Sequence, residues 1–237
     1  MPGCVMHLAV AEEIIRICNI SDCAFINEFK IGSIIPDAHA RDEKKITHFW
    51  DAKTYNNFQR KPNLNDFLTK YEDRLNEPYV FGYYAHLYFD REYMNKYWTK
   101  HFEFYDIYMN PSDVFEEVAR VCVTDNNQVY SREEFFSDKL YYGDYDRMNS
   151  YVINRYGVKL PKLSKPQKDI DEITYEQAYT RLDEIDMHIK NIDSNSQAVN
   201  TLILSVKEID ELIIDTAKQL ANVLLKMCTH MIDVGEM

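Results

Sequence analysis

The sequence predicts an all-α protein, a multi-helix bundle followed by a C-terminal helical hairpin. Three observations predict it. Apolar residues recur at the three-to-four spacing of amphipathic helices along most of the chain. Six glycines and seven prolines in 237 residues are too few for the many tight turns of a β-sandwich. No segment sustains the strict alternation of a half-buried strand. Hydrophobic residues make up 46% of the chain and charged residues 28%, a composition that can bury a core.

The elements follow in order. Leu8, Ala11, Ile14, Ile15 and Cys18 mark a first helix over His7 to Cys18. Ser21 or Asp22 caps a second, carried by Phe25, Ile26 and Phe29, with Gly32 placed to end it. Pro36 turns SIIPDAHARDEKKITHFW into a loop. A third helix spans about Asn63 to Leu75. The segment from Glu77 to about Tyr105 is the aromatic centre; its first half is apolar on every side of the helical wheel and should be buried. Further helices are expected near 112–123 and 131–156. Residues 158–169, VKLPKLSKPQKD, read as a linker. Beyond it two amphipathic helices, one through Ile173 to Ile192 and one through Val199 to Leu224, are joined by a turn at Ser194 to Ser196. The organisation is therefore 1–157 as a metal-binding helical bundle, 158–169 as linker and 170–237 as a C-terminal helical hairpin.

The formal charge is −12, which counts against a nucleic-acid partner even with eighteen tyrosines available for stacking. A phosphate ligand would need positive charge from a source other than lysine and arginine. Five cysteines without a CxxC pair are expected as free thiols in a reducing compartment. No signal peptide and no transmembrane segment is recognisable, so a soluble, cytoplasmic protein is expected.

Chemistry gathers in the first ninety residues. In GYYAHLYFD, Gly82 to Asp90, His86 and Asp90 lie four apart and share one face of an apolar helix. A buried aspartate must be paired, protonated or bound to a cation. Tyr83 and Tyr97 could offer it hydrogen bonds, and Arg91 points elsewhere. A metal ion would satisfy His86 and Asp90 together, although a core histidine hydrogen-bonded to an aspartate would leave the same spacing. Other candidates share the region. His7 opens the first helix, Asp37 follows Pro36, and His48 comes eleven residues later. Ligands from a helix start, a loop and a central helix are what a preorganised metal site on a bundle requires. His7, Asp37, His48, His86 and Asp90 are therefore expected to converge. His39 could be either an outer partner of this site or a surface residue; His188 and His230 are expected to be structural or exposed. There is no GxSxG, no glycine-rich phosphate loop and no HD dipeptide.

His7, GSIIPDA (32–38), THF (47–49) and GYYAHLYFD (82–90) together resemble the zinc-dependent phospholipase C family, to which single-strand-specific fungal nucleases are distantly related. The resemblance covers about residues 1–155. It implies an all-α bundle of the phospholipase C type holding one or two zinc ions that hydrolyse phosphodiesters. It assigns Asp37, His48, His86 and Asp90 to one zinc, makes Asp90 a bridge to a second that His7 also binds, and gives Asp37 a further catalytic role as base. Secreted members bind metal through a processed N-terminal tryptophan, whereas this sequence opens Met1-Pro2. The family's third metal uses a later histidine and an HxxxE pair. Here no histidine beyond 90 has a glutamate at i+4, so that site is absent or rebuilt from Asp144, Asp146, His101 or Asp106, each also readable as a loop or cap residue. The resemblance implies a small phosphodiester or a phospholipid as substrate. The rival is a degenerate, non-enzymatic metal-binding protein acting through its C-terminal hairpin, which could also support a homo-oligomer.

Overall fold

The computed structural model describes residues 2–38, 44–192 and 200–235, with side chains as far as Met227. The chain is mostly helical. Its elements are α1 (Cys4–Ile17), α2 (Cys23–Ile34), a 3-10 turn (Ile35–Ala38), α3 (Lys44–Thr47), α4 (Leu64–Tyr71), a 3-10 turn (Glu72–Arg74), α5 (Pro78–Glu92), a π-helical turn (Tyr93–Trp98), α6 (Thr99–His101), β1 (Phe102–Tyr105), β2 (Arg120–Val123), β3 (Gln128–Ser131), α7 (Arg132–Phe135), α8 (Tyr141–Tyr156), α9 (Tyr175–Lys190) and α10 (Val206–Gly235).

The sheet corrects the expectation of a purely helical chain. β1, β2 and β3 form an antiparallel meander, with Phe102 opposite Val123 and Val123 opposite Gln128. The helix expected near 112–123 is loop and strand instead, and 131–156 divides into α7 and α8. Asn127, at φ 55°, turns the β2–β3 hairpin in the left-handed region that asparagine tolerates.

α1 lies at the centre and packs against α2, α5, α8 and α10; the most extensive helix pair is α2 with α5. Asp22 caps α2 by accepting from the amides of Ala24 and Phe25. Gly32 does not end that helix, which runs to Ile34 and tightens into the 3-10 turn ahead of Pro36 and Asp37. Its role is proximity. A Cβ on Gly32 would lie 2.1 Å from the Tyr79 carbonyl oxygen, and one on Gly82 would lie 2.1 Å from that of Phe29. The two glycines let α2 and α5 cross almost backbone to backbone.

α10 packs on α1, α5 and the π-helical turn, while α9 packs on the 35–38 turn. Among the described residues these are the main contacts of the two helices, more extensive than any they make with each other. The expected turn at Ser194 to Ser196 lies outside the described residues. The 158–169 stretch is irregular but strapped down. Lys159 donates its amide to Glu12, and Lys162 exchanges hydrogen bonds with Asn27. One apolar core runs from α1 and α5 into α9 and α10. Among the described residues no helix is long and apolar enough to cross a membrane.

Candidate metal centre

Five side chains from four elements meet inside this core. His7 comes from the second turn of α1, Asp37 from the 3-10 turn after α2, His48 from the residue following α3, and His86 and Asp90 from α5. All five are buried, with His48 and Asp90 wholly so. His48 Nε2 lies 3.3 Å from His86 Nε2, 3.5 Å from Asp37 Oδ1 and 3.6 Å from Asp90 Oδ2. His86 Nε2 is 3.5 Å from Asp90 Oδ2, and His7 Nε2 is 3.4 Å from Asp90 Oδ1.

The local sequence explains why these nitrogens face inward. His86 Nδ1 donates to the Ser33 carbonyl at 2.9 Å, a contact that the glycine crossing of α2 and α5 makes reachable. His48 Nδ1 donates to the Lys44 carbonyl at 3.1 Å. A carbonyl can only accept, so both Nδ1 atoms carry hydrogen and both Nε2 atoms are left for the centre. The His48 segment is clamped by Thr47, whose hydroxyl donates to the Pro36 carbonyl at 2.9 Å and whose own carbonyl accepts from Tyr83 at 2.6 Å. Phe49 follows in the left-handed region at φ 48°, an uncommon place for a bulky residue. Its ring packs against Phe67 at 5.3 Å, which holds the strained turn in place.

The donor set fits a cation. His7 has neither ring nitrogen hydrogen-bonded, and neither oxygen of Asp90 has a hydrogen-bond partner. Tyr83, spent on Thr47, and Tyr97, which accepts from the Ser205 amide, do not reach Asp90 as its spacing had suggested. The separations of 3.3 to 3.6 Å are long for hydrogen bonds. Donors 2.0–2.2 Å from one tetrahedral zinc, however, sit about 3.3–3.6 Å apart. Two trios could each hold an ion: His7, His86 and Asp90, and Asp37, His48 and His86. They share His86, whose only free nitrogen can serve one ion. Asp37, His48 and His86 thus form one candidate group, with Asp90 Oδ2 3.6 Å from His48, and His7 lies beside the other oxygen of Asp90.

The electrostatics of the cluster follow from its burial and its mutual contacts. Burial works against the Asp90 carboxylate, but His86, then His7, outweigh it and hold the carboxyl below its usual range. Burial likewise opposes the Asp37 charge, and the Lys44 ammonium, followed by His48, outweighs it. Burial and the neighbouring His86 push His7 down to about 4. Burial also lowers His48, whereas Asp90 overcomes burial to raise His86.

Two neighbours escaped the sequence reading. Lys44 places Nζ 2.5 Å from Asp37 Oδ1; its position four residues before His48, in KKITH, was the available signal. Cys4, one turn before His7 on α1, lies 3.7 Å from Asp37 Oδ2, and burial, then Asp37, pushes its thiol far up. Cys4, Cys23 and Cys122 are free thiols.

The candidates for a third metal have other partners. Asp144, fully buried, accepts from the amides of Leu202, Ile203 and Leu204 and pairs with Arg147. His101 is held between Asp125 at 3.0 Å and Glu208 at 2.5 Å, one on each ring nitrogen. Asp106 accepts from the amides of Tyr108 and Asn110 in an exposed turn, and Asp146 is exposed. None of these joins a third group of metal donors among the described residues. His188 is exposed, while His39 and the side chain of His230 lie outside the described residues.

No protein family, no curated protein and no solved structure matches this chain.

Proposed function

We propose that the protein is a metal-dependent phosphodiester hydrolase of the phospholipase C type, with zinc at Asp37, His48, His86 and Asp90. The observation that carries the reading is the set of inward-facing donors, with both Asp90 oxygens and both His7 nitrogens unpaired in a buried core. The order and spacing of His7, GSIIPDA, THF and GYYAHLYFD supply the reaction class. When bound, the ion supplies Lewis-acid polarisation of a phosphoryl oxygen and acidifies water.

The chain's own residues do the rest. Ser33 and the Lys44 carbonyl fix the tautomers of His86 and His48. The aromatic faces of Phe89 and Trp50, packed against His7 and His48, keep bulk water from the buried donors. Asp37 stands at the least buried edge and is the group assigned to hold and pass a proton. A small phosphodiester or a phospholipid is the substrate class, and the free thiols suit the cytoplasm.

The test combines elemental analysis of the purified chain with a screen of chromogenic phosphodiesters, before and after chelation. One or two zinc equivalents and chelator-sensitive hydrolysis are expected; a chain that takes up no divalent metal ends the proposal. One observation favours a second reading, a metal-stabilised protein without activity. Asp144, His101 and Asp106, which could have rebuilt a third site, are committed to structural contacts. Its action would then lie in protein interaction through the C-terminal helices, and zinc uptake without hydrolysis of any diester would support it.

A further inference from the structure

We propose that Lys44 is a tethered counter-ion which competes with the metal for Asp37 and, once displaced, binds an anionic oxygen of the ligand at the mouth of the centre. The inference rests on the metal reading above and assigns a group to ligand recognition that the sequence pattern did not.

Geometry is the first ground. Lys44 Nζ contacts Asp37 Oδ1, the same oxygen that lies 3.5 Å from His48 Nε2 and so faces the metal donors. An ammonium 2.5 Å from that oxygen withdraws the charge an ion would use. Asp37 cannot serve both cations at full strength.

Anchorage is the second. The Lys44 carbonyl accepts from the His48 amide at 2.8 Å and from His48 Nδ1 at 3.1 Å, so the backbone of Lys44 is part of the clamp that aims His48. The side chain is freer: it is 30% exposed, against 0% for His48 and Asp90. A flexible four-carbon stem on a fixed backbone can move its charge off Asp37 without moving the donors.

Charge is the third. Asp37, Asp90 and Lys44 sum to −1 with the histidines neutral. One divalent ion turns this to +1, and the displaced ammonium is then left at the exposed edge without a carboxylate. Among the described residues no other lysine or arginine forms an ion pair with Asp37 or Asp90. In a chain of net charge −12, this is the local positive field that an oxyanion ligand needs, and phosphate is the simplest such ligand.

The test uses the full chain in four forms: wild type, Lys44→Gln, Lys44→Arg, and Lys45→Gln as a control that removes an exposed charge one residue away. Zinc affinity is measured by competition with a chromophoric chelator, and binding of inorganic phosphate to the zinc-loaded protein by calorimetry. Lys44→Gln is expected to tighten zinc about tenfold, because a competing cation a few ångströms away is gone, and to weaken phosphate about tenfold. Lys44→Arg, whose planar fork grips Asp37 with two donors, should weaken zinc while retaining phosphate. This variant carries the test if Lys44→Gln does not fold. Lys45→Gln should change neither quantity. The proposal is overturned if Lys44→Gln weakens zinc, if it leaves phosphate affinity unchanged, or if Lys45→Gln reproduces its effects. Zinc binding that is normal in wild type and unmoved in both Lys44 variants sinks this inference and leaves the metal reading standing. A wild-type chain that binds no zinc removes both.

Discussion

Asp90 decides the centre because both of its oxygens are buried and unpaired, one turned to His7 and the other to His48 and His86. Replacing it with asparagine removes a charge that nothing nearby replaces. Asp90→Asn is expected to weaken zinc by at least about a hundredfold, since loss of even an outer partner of a ligand costs about 10–100-fold. Asp146→Asn, on an exposed site, should change it less than about twofold. Equal losses in titrations of the two variants would place the metal elsewhere. The histidines set the response to acid. His7, held down to about 4, and His48, lowered by burial, are neutral when folded but take up protons near pH 6.5 once unfolded. The unfolded chain therefore binds more protons in that window, and stability must fall as pH drops from about 6.5 towards 4. His86 has the opposite sign: its contribution is fully present below pH 6.5 and is lost as pH rises through its raised value. Melting of the metal-free protein should consequently be lower at pH 5 than at pH 6.5. Imidazole and carboxylate bind a metal in their deprotonated forms, so zinc affinity should rise with pH across the same range. Affinity that is flat with pH would remove these side chains from the metal's ligands.

At the scale of elements, the candidate metal centre depends on how closely α2 and α5 approach. Gly82 stands one turn before His86, and its missing Cβ leaves room for the Phe29 carbonyl. Gly82→Ala forces backbone against backbone, with no flexible neighbour to yield. A destabilisation of about 3 kcal/mol is expected, the upper part of the range for overpacking. The Ser33 carbonyl would also be drawn away from His86 Nδ1, so zinc affinity should fall along with stability. Denaturant midpoints and zinc titrations on one preparation check both. A Gly82→Ala variant as stable as wild type would refute the close-crossing argument. The same crossing shows what was legible in the sequence. The spacing of His86 and Asp90 placed both on one face of a buried helix, and Asp37 after Pro36, with His48 eleven residues later, offered further ligand types in the same region. The glycines were read as a helix end and as part of a motif, because a close approach depends on a partner helix that periodicity does not reveal. Lys44 was missed for a related reason: its importance comes from where its side chain reaches, and one lysine among the charges of EKK carries no periodic signal. The β2–β3 hairpin was missed because Val114, Phe115, Val118 and Val121 mimic helical spacing.

At the scale of the whole molecule, the C-terminal segment is bound into the fold that holds the donors. Ile209, Leu212, Ile213, Leu220 and Leu224 of α10 are buried, and the helix packs on α1 and α5, which carry His7, His86 and Asp90. Fixed polar contacts add to this: Asp210 accepts from Tyr151 and Tyr156, Glu208 pairs with His101 and Lys100, and Asp144 takes three successive amides at 202–204. The linker composition of 158–169 suggests that everything beyond it could be removed without harm to the metal site. Energetics argue otherwise. Five buried aliphatic side chains at about 2 kcal/mol each give a gross contribution on the order of 10 kcal/mol, before the faces they cover on α1 and α5 are counted. Total stabilities of domains are only about 5–15 kcal/mol, so the remainder has little margin. A chain ending at Lys162 would also expose a contiguous apolar surface that favours aggregation. Such a truncation is expected to give insoluble or unfolded protein, and any soluble fraction should bind zinc at least about tenfold more weakly, because α1 and α5 lose the helix that holds them in register. Circular dichroism and zinc titration of the soluble fraction measure this. A folded 1–162 fragment with wild-type zinc affinity would show that the bundle stands alone and that α9 and α10 are an appendage available for another role.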